Sequence, residues 1–412
     1  MVQMGNQSDR AYLLFEEQQA ARGINLNEVK QKIRALVIET PSWGYGDSGT
    51  RFKVFKKMGI PRNSFEKIDD AAIVHRLTGA CPSVAVHIPW DKVDDFEKLK
   101  LHAYANELKI GAVNPNLFQD DEYMLGSVTN VNPRIRRKAT DHLLECVNIM
   151  KMVDSNILSL WFADGTNYPG QGHLRQRKQW MYEALTETYQ ALDSNMRMLI
   201  EYKFFEPGFY HTDLADWGMA YNMAQKLGSQ AQVLVDTGHH APGTNVEHIV
   251  SYLIDEEKLG GFHFNSRKYA DDDLIVGAIN PYELFLIFYQ ILDAAIDSNP
   301  EVRRVASSIS YMIDQSHAIE PKIPAMIRSI LNIQVQYAKA LLIDFHEVET
   351  SQAKNDVLGA EASVRKAFEF DVAPLLSVMR EEQGLPIDPI QAYYRSGYQE
   401  TINARGVGGS SW

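Results

Sequence analysis

The chain is 412 residues long, 45% hydrophobic and 23% charged, a balance that supports a sizeable buried core and excludes a fibrous or disordered class. Asp and Glu number 53 against 41 Lys and Arg, a net charge of −12, which disfavours a general phosphate-binding surface. Two cysteines, Cys81 and Cys146, are too few for a disulfide framework or a thiolate metal centre and point to a reducing cytoplasm. The polar start MVQMGNQSDR and the lack of any apolar run of about 18 residues give no sign of export or membrane insertion.

Residues 1–34 read as an N-terminal helical extension. Short apolar runs then alternate with helix-like stretches: 35–39 (ALVIE), 83–87 (SVAVH), 109–113 (KIGAV), 157–162 (ILSLWF), 198–203 (MLIEYK), 232–236 (QVLVD), 261–264 (GFHF) and 307–313 (SSISYMI). Such runs are the pattern of parallel strands covered on both faces. Between them, 133–153 repeats Ala139, Leu143, Val147 and Met150 at helical spacing, behind Asn132 as a cap and Pro133 at the first helical position. Eight strand-then-helix units predict an α/β fold, a (β/α)8 TIM barrel over residues 35–330. A doubly wound open sheet shares the alternation, but eight units suit closure. Residues 331–412 read as a C-terminal helical region for subunit contacts, with helices over 323–344 and 361–382 and a flexible tail at 406–412 (GVGGSSW).

In such a barrel the working residues lie at the C-terminal ends of the strands and in the loops that follow. The fifth strand ends Glu201-Tyr202-Lys203, and residues two apart point to one side, so a carboxylate and an ammonium face the mouth together; a structural ion pair is the plainer alternative. The sixth ends Asp236-Thr237-Gly238-His239, with Gly238 easing a tight bend. The seventh carries His263, and its loop the run Asp271-Asp272-Asp273, which repels itself unless a cation or solvent intervenes. The eighth ends at Asp314.

Together Glu201, Asp236, His239, His263, Asp271, Asp273 and Asp314 make five carboxylates and two imidazoles, an oxygen-rich set suited to Mn²⁺, Mg²⁺ or Co²⁺ and large enough for two adjacent ions. The opposite side of the mouth is aromatic: Trp43 and Phe52 after the first strand, Phe118 after the third and Trp161 at the end of the fourth. Sugars stack their C–H faces on such rings, although any one aromatic alone is more often core. His87 ends the second strand, where it can handle a ring-hydroxyl proton or stand as a hydrogen-bonded structural histidine.

As a set these residues resemble the L-rhamnose isomerase family, within the xylose-isomerase-like TIM-barrel sugar isomerases. The segments that carry the resemblance are PSWGYGDSGTRF (41–52), AVHIPWD (85–91), NPNLFQDD (114–121), WFADGTNYPGQG (161–172), IEYKFFEPGFY (200–210), VDTGHHAPGTNVEHIV (235–250), FHFNSRKYADDDL (262–274) and MIDQSHAIEPK (312–322), spread through most of the chain. The resemblance implies that Glu201, Asp236, His263 and Asp314 hold one ion, and that His239, Asp271 and Asp273 hold a second with Asp236 bridging. It implies two divalent ions per subunit, Mn²⁺ first, with Co²⁺, Mg²⁺ and Zn²⁺ as the others. Trp43, Phe118 and Trp161 become stacking walls, Phe52 a substrate contact in its own or a neighbouring subunit's site, and the assembly a homotetramer.

The activity so implied is L-rhamnose to L-rhamnulose interconversion, with catalytic roles on Lys203, His87, Asp314 and Asp271. His87 assists ring opening, Lys203 steadies negative charge on the O1 side, and hydrogen moves between C2 and C1 as a hydride or through an enediol with Asp314 as base. D-Allose, L-mannose and L-lyxose are rival substrates of the same chemistry. A metal-dependent endonuclease on the same barrel is the distant alternative, disfavoured by the charge and the aromatic pocket, and a noncatalytic sugar-binding module would need neither two metal sites nor Lys203.

Overall fold

The computed structural model describes residues 3–47, 54–206, 210–315 and 319–408, with the side chains of 3–9, 206 and 210 left aside. Eight strands close into a parallel barrel in sequence order: Ile38–Pro41, Ser83–Ile88, Lys109–Pro115, Ile157–Leu160, Arg197–Glu201, Ala231–Asp236, Leu259–Phe264 and Ser310–Ile313. The last pairs with the first, Tyr311 opposite Ile38. The TIM barrel expected from the alternation is therefore the fold, and the open sheet is not.

The boundaries differ from the sequence expectation in ways that have local causes. The first strand begins at Ile38 because Ala35 still belongs to the helix Leu26–Ala35. The fifth ends at Glu201, so Lys203 lies beyond the sheet, its N–H donating to Leu214 O (3.1 Å) and not to a neighbouring barrel strand. The single helix read over 361–382 is two, Val357–Glu369 and Ala373–Glu382, because Pro374 removes a backbone donor and suits only the first turn of the second. The helix Pro133–Met152 starts as expected, the Asn132 side chain accepting from Arg134 N–H. The same Asn-Pro device opens Pro281–Ala294 and Pro300–Ser308. Two helices, Gln3–Ala20 and Leu26–Ala35, precede the barrel. Among the described residues no helix is long and apolar enough to cross a membrane. Both cysteines are buried free thiols.

Inside the barrel Ala85, Ala112, Ile157, Leu199, Leu234 and Met312 form the apolar layer beneath the mouth. The N-terminal end below it is plugged by polar side chains. Arg197 donates to Gln232 Oε1 (3.0 Å), Ser308 O (3.0 Å) and Ser310 Oγ (2.7 Å), while Glu39 accepts from Ala112 N–H (2.9 Å). Gly111 has no alternative there, since a Cβ would lie 1.5 Å from Glu39 Oε2. Among the described residues the cavity lies at the opposite end, at the strand C-termini.

Residues 398–407 return to the mouth side. Gly59 N–H donates to Gly406 O (2.9 Å), and Met58 bridges Val407. Arg405 grips buried Asp70 with two hydrogen bonds (2.8 and 2.9 Å), and Tyr398 Oη adds a third (2.8 Å). Removing the guanidinium strands a buried carboxylate. Arg405→Ala is therefore expected to lower stability by about 3 kcal/mol, read as a shifted urea midpoint, and Asp70→Leu/Arg405→Met to recover most of it; an unshifted midpoint in the single variant overturns the account.

Candidate active site

Successive strand ends deliver the carboxylates to one place. Glu201 and Asp236 are the last residues of the fifth and sixth strands, His263 is the penultimate residue of the seventh, and Asp314 follows the eighth. One ligand atom from each of Glu201, Asp236, His263 and Asp314 lies within 4.8 Å of the others, and Asp236, His239 and Asp271 form a second such group. Asp236 belongs to both. His263 Nδ1 is 3.1 Å from Glu201 Oε2 and 3.8 Å from Asp314 Oδ2.

The loop after the seventh strand separates its three aspartates by role. A bridge between Ser266 and Leu274 closes the loop. Asp272 accepts backbone N–H bonds from Lys268 and Tyr269, leaving Asp271 and Asp273 to line the cavity. Asp273, at φ 47°, stands on the cavity wall outside the second three-residue group. Lys203, although past its strand, reaches Asp271 Oδ2 at 2.6 Å.

Three of the ligand candidates are held from behind. Asn265 Nδ2 donates to both oxygens of Asp236 (2.9 and 3.1 Å) and Gly238 N–H to one (2.6 Å). Trp43 Nε1 donates to Asp314 Oδ1 (2.8 Å). His239 Nδ1 lies 2.9 Å from Tyr202 O, which can only accept, so Nδ1 carries a proton, and Nε2 turns toward Asp271 Oδ2 (3.4 Å) and Asp236 Oδ2 (4.0 Å). Gly238 permits the crowding, for a Cβ would fall 2.6 Å from Asn265 Oδ1 and 2.7 Å from Asp271 Oδ1.

The electrostatics ask for positive charge. Burial, reinforced by neighbouring carboxylates, raises Asp236 to about 7 and raises Asp273 and Asp314 above the usual carboxylate range. Burial alone would pull both imidazoles down. Asp236 and Asp271 nevertheless push His239 up to about 10, and Glu201 pushes His263 to about 9. Asp271 is held low, against its burial, by His239 and Lys203. Its Oδ1 is buried without a hydrogen-bond partner. The donor set and that orphaned oxygen fit divalent cations, which would supply the missing charge.

The other wall is aromatic, and the whole encloses a cavity of about 390 Å³, within the range of small-molecule sites. Phe118 meets Trp161 edge-on (4.9 Å), Trp43 meets His87 edge-on (5.6 Å), and His87 stacks on Trp90 (3.8 Å). Lys203 Nζ lies 5.1 Å from the Trp161 ring centre. Burial holds the His87 imidazole well below its usual pKa, hence neutral. Of the expected site residues, Phe52 falls outside the described residues; all the others line the cavity except Asp236, which is fully buried beneath it.

Five cavity residues escaped the sequence reading: Trp90, Asn114, Ser159 and the apolar Pro115 and Ala163. Trp90 sits within AVHIPWD, beside the His87 already singled out, and Asn114 would have surfaced had the third strand been carried on to Pro115. Ser159 sits in an apolar run whose inward phase only barrel closure reveals. Ser159 Oγ, Trp161 Nε1 and His87 Nδ1 are buried without partners around this cavity, the kind of polar atoms a sugar's hydroxyls can satisfy.

No family model matches the chain. A probable sugar isomerase of Rhizobium meliloti (strain 1021) is 41% identical over 402 residues, 96% of this chain and 92% of the relative. Another, of Mesorhizobium japonicum, is 40% identical over 401 residues with the same coverage. Among solved structures, an L-ribulose 3-epimerase superposes with TM-score 0.55 at 10% identity, covering 78% of this chain and 98% of that one. A 3-keto-D-glucoside 4-epimerase from E. coli gives 0.51 at 13%, covering 73% and 99%. These structures share the barrel fold.

Divalent cations should stabilise this arrangement measurably. At free Mn²⁺ about 100-fold above the dissociation constant, each occupied site is expected to add about 2.7 kcal/mol, seen as a rise in melting temperature that a chelator reverses. Asn265→Ala, which releases Asp236, should weaken Mn²⁺ binding about 10- to 100-fold by calorimetry; identical melting with and without metal would overturn the metal assignment.

Proposed function

This chain belongs to the family of those probable sugar isomerases, and from that premise we propose that it is a divalent-metal-dependent aldose–ketose isomerase interconverting L-rhamnose and L-rhamnulose. One observation carries the reading: a single cavity sets four carboxylates, with Asp236 buried beneath them, and the His239 and His263 imidazoles and Lys203 against a wall of Trp43, Phe118 and Trp161. A binding module needs the aromatic wall alone, and an endonuclease needs a cationic approach that a net charge of −12 does not offer. The substrate is the resemblance's L-rhamnose, with D-allose, L-mannose and L-lyxose as competing aldoses. The homotetramer belongs to the same proposal.

In this reading Glu201, Asp236, His263 and Asp314 hold one ion, and Asp236, His239 and Asp271 hold the other with Asp273 adjoining. Divalent ions bound there would polarise the C1 and C2 oxygens of the open-chain sugar. The remaining work falls to side chains. His87, kept neutral by burial, takes the proton of the anomeric hydroxyl and delivers it to the ring oxygen as the C1–ring-oxygen bond breaks. The aromatic wall excludes water and seats the sugar's apolar face. Lys203 presents its ammonium to the negative charge that develops at O1.

The isomerisation moves hydrogen from C2 to C1 while the O2 hydroxyl gives up a proton and O1 gains one. A dry wall favours transfer as a hydride over an enediol with Asp314 as the base. Asp271, 2.6 Å from the Lys203 ammonium, keeps that charge turned toward O1.

The deciding experiment strips the protein with chelator and assays L-rhamnose conversion without metal, with Mn²⁺, and with Mn²⁺ in Asp271→Asn/Asp273→Asn. Activity is expected only in the intact, Mn²⁺-restored protein, at least about 10³-fold above the other two arms. Full activity after stripping, or none on any of the four aldoses after restoration, overturns the reading.

Run in heavy water, the reaction should leave C1 of rhamnulose without deuterium. Appreciable incorporation there replaces the hydride transfer with the enediol route.

A further inference from the structure

A buried charge cluster stands behind the cavity, and none of the chemistry above uses it. Arg177, on the helix Leu174–Gln190, pairs with Asp213 at 2.7 Å, their side chains 4% and 9% exposed. Its Nε contacts both Asp213 oxygens (3.1 and 2.9 Å), and its other nitrogens donate to Thr129 O (3.2 Å) and Gly165 O (3.1 Å). Asp164, also buried, accepts from the backbone N–H of Ser127 (2.9 Å) and Thr129 (2.8 Å) and from the Ser127 hydroxyl (2.6 Å). Neither Arg177 nor Asp213 lines the reaction cavity.

Thr129 joins the two carboxyl groups. Its Oγ1 is 2.6 Å from Asp164 Oδ2 and 2.9 Å from Asp213 Oδ2, yet a hydroxyl has one proton to donate. The Thr129 hydroxyl links the Asp164 and Asp213 carboxyl groups, with Arg177 as the counter-charge of Asp213.

The cluster reaches the active site through the backbone. Asp213 N–H donates to Asp164 O (2.8 Å), three residues after Trp161, and Gly165–Thr166 pairs with Tyr210–Thr212. The residues on either side of Asp213 hold both backbone groups of Lys203: its N–H donates to Leu214 O (3.1 Å), and Thr212 Oγ1 donates to its carbonyl. Lys203 lies beyond its strand, so segment 212–214 substitutes for the sheet in fixing it.

We propose that Asp213 and Arg177 are positioning residues for Lys203: they clamp the segment from which its backbone hangs and so keep its ammonium between Asp271 and Trp161. The proposal rests on the isomerase reading for its catalytic consequence, though not for the geometry it claims.

Two measurements test it. The first is a double-mutant cycle in the Mn²⁺-loaded protein with L-rhamnose, using Asp213→Asn, Lys203→Ala and the pair. Asp213→Asn is expected to lower kcat about 10- to 100-fold with KM changed less than about threefold, and to add less than about twofold in the Lys203→Ala background. Effects that multiply across the cycle mean a merely structural role and overturn the proposal. Arg177→Lys, which keeps the charge and breaks the fork, should fall between wild type and Asp213→Asn, and it takes that variant's place in the cycle should the latter not fold.

The second needs no activity. Acylation of Lys203 by an amine-reactive ester, followed by peptide mass spectrometry, should rise at least about fivefold in Asp213→Asn or Arg177→Lys as the local structure opens, with Mn²⁺ content unchanged. Unchanged labelling overturns the positioning role. Raised labelling in a protein inactive on every aldose supports it and overturns the isomerase reading alone.

Discussion

Asp236 ends its strand inside both candidate metal groups, buried and surrounded by other carboxylates, with its two oxygens tied to Asn265 and Gly238. Like charges this close in a medium that screens poorly cannot all remain ionised without compensation. Much of the mouth follows from that constraint. The imidazoles of His239 and His263 are drawn toward protonation, Lys203 closes on Asp271, and Trp43 lends its indole N–H to Asp314. Divalent cations answer the same demand with more charge in less space, which is why the cluster has the character of a metal site and not of a salt-bridge network.

Holding such a cluster requires a scaffold that does not relax. The barrel supplies it by sealing its lower end with Arg197 and Glu39 and by filling the middle layer with small and aliphatic side chains. The loops then need their own ties, because a strand fixes a side chain only as far as its last ladder bond. Asp236 and His263 sit within that limit. Lys203, His239 and Asp271 sit beyond it, and each is held by loop contacts: segment 212–214, the Tyr202 carbonyl, and the closed turn between Ser266 and Leu274. The aromatic wall completes the arrangement by lowering the local dielectric, so the same charges act more strongly on a sugar placed between them.

Much of this was legible in the residues. The apolar runs located all eight strands because a parallel strand covered on both faces must be apolar throughout. The polar residues closing those runs then announced the mouth, since each stands where burial ends. The acidic triplet at 271–273 was readable as a charge problem, although which two of its members enter the cavity depended on the loop's closure. Helix ends were readable where Asn precedes Pro, as at Asn132, and misread where Pro374 divides one apparent helix in two.

By itself the sequence determined the barrel, the strand ends that carry the candidate ligands, and a charge balance that disfavours a general phosphate-binding surface, because periodicity and local composition encode burial residue by residue. Only the tertiary structure decided that Asp236 is shared by both groups, that Trp90, Asn114 and Ser159 join the cavity, and that Lys203 is fixed from 212–214. It also brought Asp164, Thr129, Arg177 and Asp213 into one hydrogen-bonded cluster. The reason is physical: hydrogen bonds and charge interactions fall off within a few ångströms, and a linear pattern states which side chains turn inward but not which of them meet.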